Sequence, residues 1–200
     1  MLRLDNITLI AISSSKIELT NKAIDICLKE CQFQNVLFFS DVKNEYHVPI
    51  EKLNSIKDYD KFVLKDLPGY LLKQESDFFL TIHWDGFIVN PNAWSEIFLT
   101  YDYIGAPWPH FKYLCGNGGF CLKSRKFLYT QQLINNISTN KPDDVTLCID
   151  YRNHFLQHKC VYPDANMAFK FSTECCNYWK FNSFGFHDFK YNPQFKELIL

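Results

Sequence analysis

The sequence lacks an excess of charge of either sign, because 21 lysines and arginines stand against 22 aspartates and glutamates in 200 residues. Proteins that bind nucleic acid or an anionic membrane surface normally carry a basic excess, so neither partner is expected. No apolar run approaches the ~20 residues of a transmembrane helix. The first residues also lack the basic region and apolar run of a signal peptide. These absences predict a cytoplasmic protein without an integral membrane segment.

Regular cysteine spacing is missing as well. Eight cysteines are present, but they form neither the framework of a small disulfide-rich secreted domain nor the paired spacing of a zinc site. We therefore expect most of them to be small, buried, reduced side chains.

The composition that remains is that of a packed globular protein. Hydrophobic residues make up 47% of the chain and charged residues 22%, which excludes disorder. The length fits one domain, and the absence of linkers and repeats predicts a single domain over residues 1–200. Aromatic residues reach 17%, and we expect most of them in the core. Trp84, Trp94 and Trp108 could instead line a sugar pocket, since aromatic faces stack on the C–H face of a sugar ring.

The first forty residues predict a strand, a helix and a second strand. Residues 7–12 (ITLIAI) form a continuous apolar, β-branched run, which is typical of a buried parallel strand. Residues 19–27 place apolar side chains at helical spacing, with Thr20 or Asn21 as the capping residue. Residues 35–41 predict the second strand, so the segment is a βαβ unit in a parallel sheet. Ligands of such sheets bind at the carboxyl ends of the strands, where polar residues follow both runs.

A third buried strand is predicted over residues 76–82, and it ends in the polar turn His83-Trp84-Asp85-Gly86. A carboxylate at the end of a buried strand is a common ligand for Mg²⁺ or Mn²⁺. An Asp-Gly pair is equally common in a tight hairpin turn. The segment alone does not favour either interpretation.

Glycine is scarce and unevenly placed, with none before Gly69 and four of the seven between Gly105 and Gly119. Residues 116–119 (GNGG) would let the backbone pass close to a sugar or a phosphate without Cβ clashes. The segment matches neither phosphate-loop nor dinucleotide motif. A simple loop between two strands is the alternative.

Two further segments carry candidate chemistry. Asp143 and Asp144 follow Pro142 ahead of an apolar helix, where acids are stabilised by the helix dipole. A carboxylate there could also serve as a general base beside an acceptor hydroxyl. His187 lies in an aromatic and glycine-rich segment near the end of the chain, and it is either a hydrogen-bonded core histidine or a metal ligand.

Together these segments resemble an uncharacterised, glycosyltransferase-like family with a short GT-A fold. The family patterns are QxDGFxxNPxxW, YDYIGAPW, GNGGFxLRS, PED and FGFH. Their counterparts here are residues 83–94 (HWDGFIVNPNAW), 101–108 (YDYIGAPW), 116–125 (GNGGFCLKSR), 142–144 (PDD) and 184–187 (FGFH). The resemblance extends from about residue 8 to residue 187, and its middle block is the most specific part.

The resemblance implies a GT-A-like α/β domain with a nucleotide-binding βαβ half and a mixed central sheet flanked by helices. It implies a metal-dependent glycosyltransferase of the hexosyltransferase type that uses Mn²⁺ or Mg²⁺. The donor would be a nucleotide sugar and the acceptor a glycan or another hydroxyl compound. The product would contribute to a surface polysaccharide. The metal would be held by Asp85 and His187. Catalysis would fall to Asp144 and Asp143, the former as general base if the enzyme inverts configuration. The nucleotide contacts would be Ser13, Ser14, Lys16, Asp41, His83 and Trp84. The sugar and acceptor contacts would be Trp108, Asn117, Gly118 and Gly119.

Two departures from the family pattern bear on the site. His83 stands in place of glutamine, and Asp143 in place of a glutamate that is one methylene longer. These departures keep open a second hypothesis, a non-catalytic relative that binds a sugar or nucleotide. A third hypothesis is a different α/β enzyme, such as a nucleotidyltransferase or a metal-dependent phosphohydrolase, which would use the same carboxylate at a strand end.

Overall fold

The computed structural model describes residues 1–112, 114–176 and 182–200. Its N-terminal part contains β1 (Leu2–Ile12), α1 (Ile17–Glu30), β2 (Cys31–Ser40) and β3 (His47–Pro49). β1 and β2 pair in parallel, which confirms the predicted βαβ unit. The predicted helix cap was wrong, since α1 begins three residues before Thr20, whose hydroxyl donates within the first turn to the carbonyl of Lys16.

A long helical segment follows, in which α2 (Ile56–Lys61) continues through a wide turn over Phe62–Asp66 into α3 (Leu67–Leu71). Pro68 explains the wide turn, because it has no N–H to donate to the carbonyl of Leu64. The side-chain amide of Gln131 donates to the carbonyls of both Val63 and Leu64, at 3.0 Å each. The helix thus keeps its buried carbonyls satisfied where the regular pattern is interrupted.

The remaining strands are short. They are β4 (Phe78–Ile82), β5 (Tyr103–Gly105), β6 (Pro107–Trp108), β7 (Leu114–Cys115), β8 (Cys121–Ser124), β9 (Ser172–Thr173) and β10 (Gly185–Phe186). Six strands form the central sheet in the order β3-β2-β1-β4-β8-β5. β4 joins β1 in parallel, whereas β8 runs antiparallel to both β4 and β5, so the sheet is mixed. Two smaller pairs, β6–β7 and β9–β10, lie apart from this sheet.

Helices of the second half are α4 (Arg125–Gln132), α5 (Asp143–Val145), α6 (Arg152–Gln157) and α7 (Ala165–Phe171). A wide turn over Thr146–Asp150 joins α5 to α6. Short 3₁₀ turns occupy Pro91–Ala93, Glu96–Thr100, Pro109–Phe111 and Pro193–Leu198. Within the described ranges, no helix has the length and apolar character that crossing a membrane requires.

The aromatic residues account for much of the core. Among the largest fully buried side chains are Phe38, Phe39, Phe79, Phe87, Phe98, Tyr103, Phe120, Phe127, Phe155, Phe171, Phe184 and Phe186. Phe127 of α4 stacks on Phe155 of α6, with ring planes within 2° and centroids 4.0 Å apart. All eight cysteines are free and six are buried, as expected. Next to the candidate site, Phe87 packs edge to face on Phe186 with ring centroids 5.0 Å apart, which joins the segment after β4 to β10.

Candidate functional site

Three of the predicted site residues, His83, Trp84 and Asp85, lie in a tight turn directly after β4. The backbone N–H of His83 donates to the carbonyl of Gly86 at 2.9 Å, and the reverse bond measures 3.2 Å. Trp84 and Asp85 therefore form the tip of a two-residue turn at the carboxyl end of a buried strand. The tight-turn interpretation of this segment is confirmed. The turn also presents the carboxylate at the strand end, where its role as a metal ligand stays a prediction.

His187 reaches the same point from the far end of the chain. Its backbone N–H donates to the carbonyl of Thr173, directly after β10. Its Nε2 lies 3.6 Å from Oδ1 of Asp85, and its ring centroid lies 5.2 Å from that of His83. One ligand atom from each of His83, Asp85 and His187 falls within 4.8 Å of the others. We call these three residues the His-Asp-His cluster.

His83 takes part in this cluster as a neutral imidazole. Burial lowers its pKa to about 3, and the positive charges of His187 and Lys123 add to the effect. Its Nε2 lies 2.7 Å from the hydroxyl of Tyr59. A histidine that bonds a neighbour through one ring nitrogen can ligate a metal with the other.

His187 has a carboxylate partner that sequence reasoning missed. Its Nδ1 lies 2.9 Å from Oε1 of Glu174, while the indole N–H of Trp108 donates to Oε2 at 3.0 Å. Burial lowers the pKa of His187, but the Glu174 hydrogen bond and the Asp85 charge outweigh it and raise that pKa above its usual range. Burial raises the pKa of Glu174, yet the bond to His187 and its charge bring it below the ordinary value. Glu174 belongs to none of the motifs, so only the fold could reveal it.

The glycine-rich loop, residues 116–119, separates this cluster from the two acids. A Cβ built on Gly119 would lie 2.1 Å from Nε2 of His187. The next residue back, Gly118, donates its N–H to Oδ2 of Asp144 at 3.0 Å. None of the chain's glycines has a positive φ, so close approach rather than backbone conformation requires glycine here. Asn117 does adopt a positive φ of 54°, and its Oδ1 accepts from the N–H of Phe120.

Asp143 and Asp144 begin α5, as predicted, and differ in environment. Asp143 is 7% exposed, and its backbone N–H donates to Oδ1 of Asp60 at 3.1 Å. Burial first, and then the Asp144 charge, raises the pKa of Asp143 to about 7, against the opposing charge of the buried Lys123. Burial also raises the pKa of Asp144, although hydrogen bonds from the N–H groups of Gly118 and Val145 oppose this. Asp144 is the more exposed of the two.

A cleft of about 320 Å³ opens beside the His-Asp-His cluster. It is lined by five of the six residues predicted to bind the nucleotide: Ser13, Ser14, Lys16, His83 and Trp84. The ammonium of Lys16 lies 5.4 Å from the ring centroid of Trp84. The sixth residue, Asp41, is exposed just after β2 and does not line this cleft.

Trp108 lies beneath the loop rather than on an open surface. It is 4% exposed, and its ring fills the space beside Gly116, where an added Cβ would come within 2.1 Å. Its indole N–H is engaged with Glu174. Its predicted contact with a sugar stays a prediction, as do those of Asn117, Gly118 and Gly119.

The chain is similar to one protein family and to several solved structures. The family described as "Protein of unknown function (DUF5672)" matches residues 43–187. No curated protein matches the chain. Among solved structures, a glycosyltransferase involved in the glycosylation of the major capsid of PBCV-1 superposes with a TM-score of 0.56 at 12% identity, covering 90% of this chain and 93% of the other.

Two further structures superpose less well. The mannosyltransferase PcManGT from Pyrobaculum calidifontis, in complex with GDP-Man and Mn²⁺, has a TM-score of 0.49 at 10% identity over 80% of this chain and 55% of its own. A197 from STIV has a TM-score of 0.43 at 13% identity over 78% and 79%. The six-stranded mixed sheet with flanking helices is thus the GT-A type of fold, as predicted.

Proposed function

The chain belongs to the DUF5672 family, and we propose that it is a metal-dependent glycosyltransferase. The proposed reaction moves a hexose from a nucleotide-sugar donor to a hydroxyl group of a glycan or other acceptor. The similarity to solved glycosyltransferases supports only the fold in this proposal. The site residues supply the argument.

The donor set of the His-Asp-His cluster fits a divalent cation. One carboxylate and two imidazoles offer ligand atoms within 4.8 Å of one another. His83 is neutral, the form in which a histidine ligates, and Glu174 backs the ring of His187. Two imidazoles favour Mn²⁺ over Mg²⁺, which prefers oxygen ligands. A divalent cation held there would neutralise the diphosphate that leaves the donor.

One observation carries the proposal: consecutive glycines contact the two halves of the site. Gly118 donates to Asp144, and Gly119 lies against the imidazole of His187. Since consecutive Cα atoms are about 3.8 Å apart, a carboxylate suited to proton abstraction lies beside the cluster suited to a cation. His83 also lines the cleft of residues 13–16 and 84. A nucleotide in that cleft would direct its diphosphate to the cluster and its sugar toward Asp144.

The reaction assigned to these residues is a displacement at the anomeric carbon. The carboxylate of Asp144 accepts the proton of the acceptor hydroxyl, the acceptor oxygen bonds to the anomeric carbon, and the bond to the diphosphate oxygen breaks. Burial raises the pKa of Asp144, which makes its carboxylate a stronger base. Asp143 is the more deeply buried of the two, its backbone N–H donates to Asp60, and in this proposal it acts as a support.

Thermal stability in the presence of ligands tests the binding half of the proposal. UDP or GDP should raise the melting temperature only when Mn²⁺ or Mg²⁺ is present, because a ligand stabilises the fold that binds it. Asp85→Asn should remove the shift. Asp77→Asn provides the matched control, since this exposed aspartate stands at the other end of the same strand. No shift with any nucleoside diphosphate, with or without metal, would refute the proposal.

Turnover tests the catalytic half. Release of nucleoside diphosphate from a nucleotide sugar should require the acceptor and be lost in Asp144→Asn. Binding with metal but no turnover of any nucleotide sugar would instead identify a non-catalytic relative. Turnover of a nucleoside triphosphate alone would identify a different metal-dependent enzyme.

A further inference from the structure

Glu174 bridges the half-buried His187 and the buried Trp108 next to the His-Asp-His cluster. Its side chain is 13% exposed, with Oε1 2.9 Å from Nδ1 of His187 and Oε2 3.0 Å from the indole nitrogen of Trp108. An ionised carboxylate only accepts hydrogen bonds. The 2.9 Å bond to His187 therefore requires the proton on Nδ1. The side-chain amide of Asn117 lies 3.1 Å from the same nitrogen and would donate to an unprotonated Nδ1, but the shorter bond to a charged carboxylate favours the Nδ1–H form.

That proton position decides what Nε2 can do. With the proton on Nδ1, a neutral imidazole keeps the lone pair of Nε2 for a metal. Nε2 is also the atom that lies 3.6 Å from Asp85. The opposite tautomer would direct an N–H at the place where a cation would bind.

We propose that Glu174, held by Trp108, is a positioning residue that fixes the Nδ1–H tautomer of His187 and turns its Nε2 toward the cation site. The inference rests on the metal site of the proposed function, and it adds a residue that touches neither metal nor substrate. Carboxylates that bond the far nitrogen of a ligating histidine typically contribute about 10–100-fold to metal affinity.

The diagnostic variant is Glu174→Gln, because it keeps the shape and changes the hydrogen-bonding capacity. A carboxamide offers one acceptor oxygen, whereas His187 and Trp108 each donate to the carboxylate in the native protein. If the oxygen turns to Trp108, the amide N–H₂ faces Nδ1 and favours the Nε2–H tautomer. Glu96→Gln is the matched control, since Glu96 accepts from the indole N–H of Trp94 at 2.9 Å and is exposed.

Nitrogen NMR of the metal-free protein tests the tautomer without depending on catalysis. Spectra of ¹⁵N-histidine-labelled protein should be recorded at about pH 9, well above the ordinary histidine pKa of about 6.5. We expect His187 as the Nδ1–H form in the native protein and in Glu96→Gln, and a raised Nε2–H fraction in Glu174→Gln. An Nε2–H form of His187 in the native protein would overturn the proposal, whether or not any variant folds.

Calorimetric titration with Mn²⁺ gives the second measurement. Glu174→Gln should bind Mn²⁺ about 10–100-fold more weakly than Glu96→Gln. Equal affinities together with an unchanged tautomer would refute the positioning role while leaving the metal site intact. The opposite outcome is also informative. If the native protein shows the Nδ1–H tautomer and Glu174→Gln disturbs it, but the native protein binds no Mn²⁺, the positioning of His187 is supported and the proposed metal site is refuted.

Discussion

Gly119 lies directly against the imidazole of His187, and a Cβ built on it would stand 2.1 Å from Nε2 and 2.3 Å from Cδ2. Real Cβ atoms do not approach other atoms so closely, so any larger residue must displace the ring. The imidazole of His187 is thus held between two groups. The backbone of Gly119 lies beside Nε2, and the carboxylate of Glu174 bonds Nδ1. The orientation of this ring thus depends on residues from two other parts of the chain, Gly119 and Glu174.

Gly119→Ala is therefore expected to move His187 and abolish the metal-dependent rise in melting temperature caused by a nucleoside diphosphate. The metal-free variant should also melt earlier, since the ring is packed among buried residues. Gly69→Ala serves as the control, because a Cβ there would meet only the side-chain nitrogen of Gln132 at 3.9 Å. That helical substitution should be stabilising by roughly 0.5–1 kcal/mol. Native-like Mn²⁺ binding by Gly119→Ala would contradict this account.

Neutralising each acid of the pair should separate their roles. Asp144→Asn is expected to lower kcat by about 10²–10⁴, the usual contribution of a general base, with nucleotide affinity retained. Asp143→Asn should have the smaller effect, because Asp143 is only 7% exposed and is the less accessible of the two acids to an acceptor. Steady-state kinetics with a nucleotide-sugar donor measure both values. A larger loss for Asp143→Asn than for Asp144→Asn would reverse the assignment.

The fold was predictable where the sequence pattern is local and strong. A β-branched run, a helical repeat and a second apolar run gave the βαβ unit, since these periods follow directly from strand and helix geometry. The start of α1 was misplaced because Thr20 bonds back to Lys16 inside the first turn instead of capping it. The wide turn before Pro68 was not predicted either. Pro68 is visible in the sequence, but the side chain that satisfies the freed carbonyls belongs to Gln131, a residue far along the chain.

The candidate site was predictable only in part, for a similar reason. Motif residues such as Asp85 and His187 could be named in advance, but no local pattern shows that their side chains lie 3.6 Å apart. Glu174 is outside every motif, and its role follows from two hydrogen bonds that the tertiary fold creates. Asp41 follows β2 but does not line the cleft, so its contact with a nucleotide stays a prediction.

Replacing an imidazole of the cluster should change which metal is preferred. His83→Gln exchanges a nitrogen ligand for an amide oxygen, which suits Mg²⁺ better than Mn²⁺. We expect the native protein to bind Mn²⁺ more tightly than Mg²⁺, and the variant to show a smaller Mn²⁺/Mg²⁺ affinity ratio by titration calorimetry. Tyr59→Phe is the control, because it removes the hydroxyl that bonds His83 while keeping the imidazole. An unchanged ratio in His83→Gln would exclude His83 from the ligand set.

The buried carboxyl of Asp143 should make stability depend on pH in a stated direction. Burial and the Asp144 charge raise its pKa to about 7 in the folded chain, against an ordinary value of about 3.9 in an unfolded one. Between these two values the folded state keeps a proton that the unfolded state has released. The stabilisation is therefore complete below about pH 4 and is lost as pH rises through about 7.

Asparagine cannot ionise, so Asp143→Asn should lose this dependence. Melting temperatures should be measured in EDTA at about pH 5 and about pH 8. The decrease between these two pH values should be larger for the native protein than for Asp143→Asn, because only the native chain must bury a new charge beside Asp144 as pH rises. The exposed Asp77→Asn should retain the native slope. Parallel slopes for the native protein and Asp143→Asn would contradict this account, because they would show that Asp143 is ionised throughout this pH range.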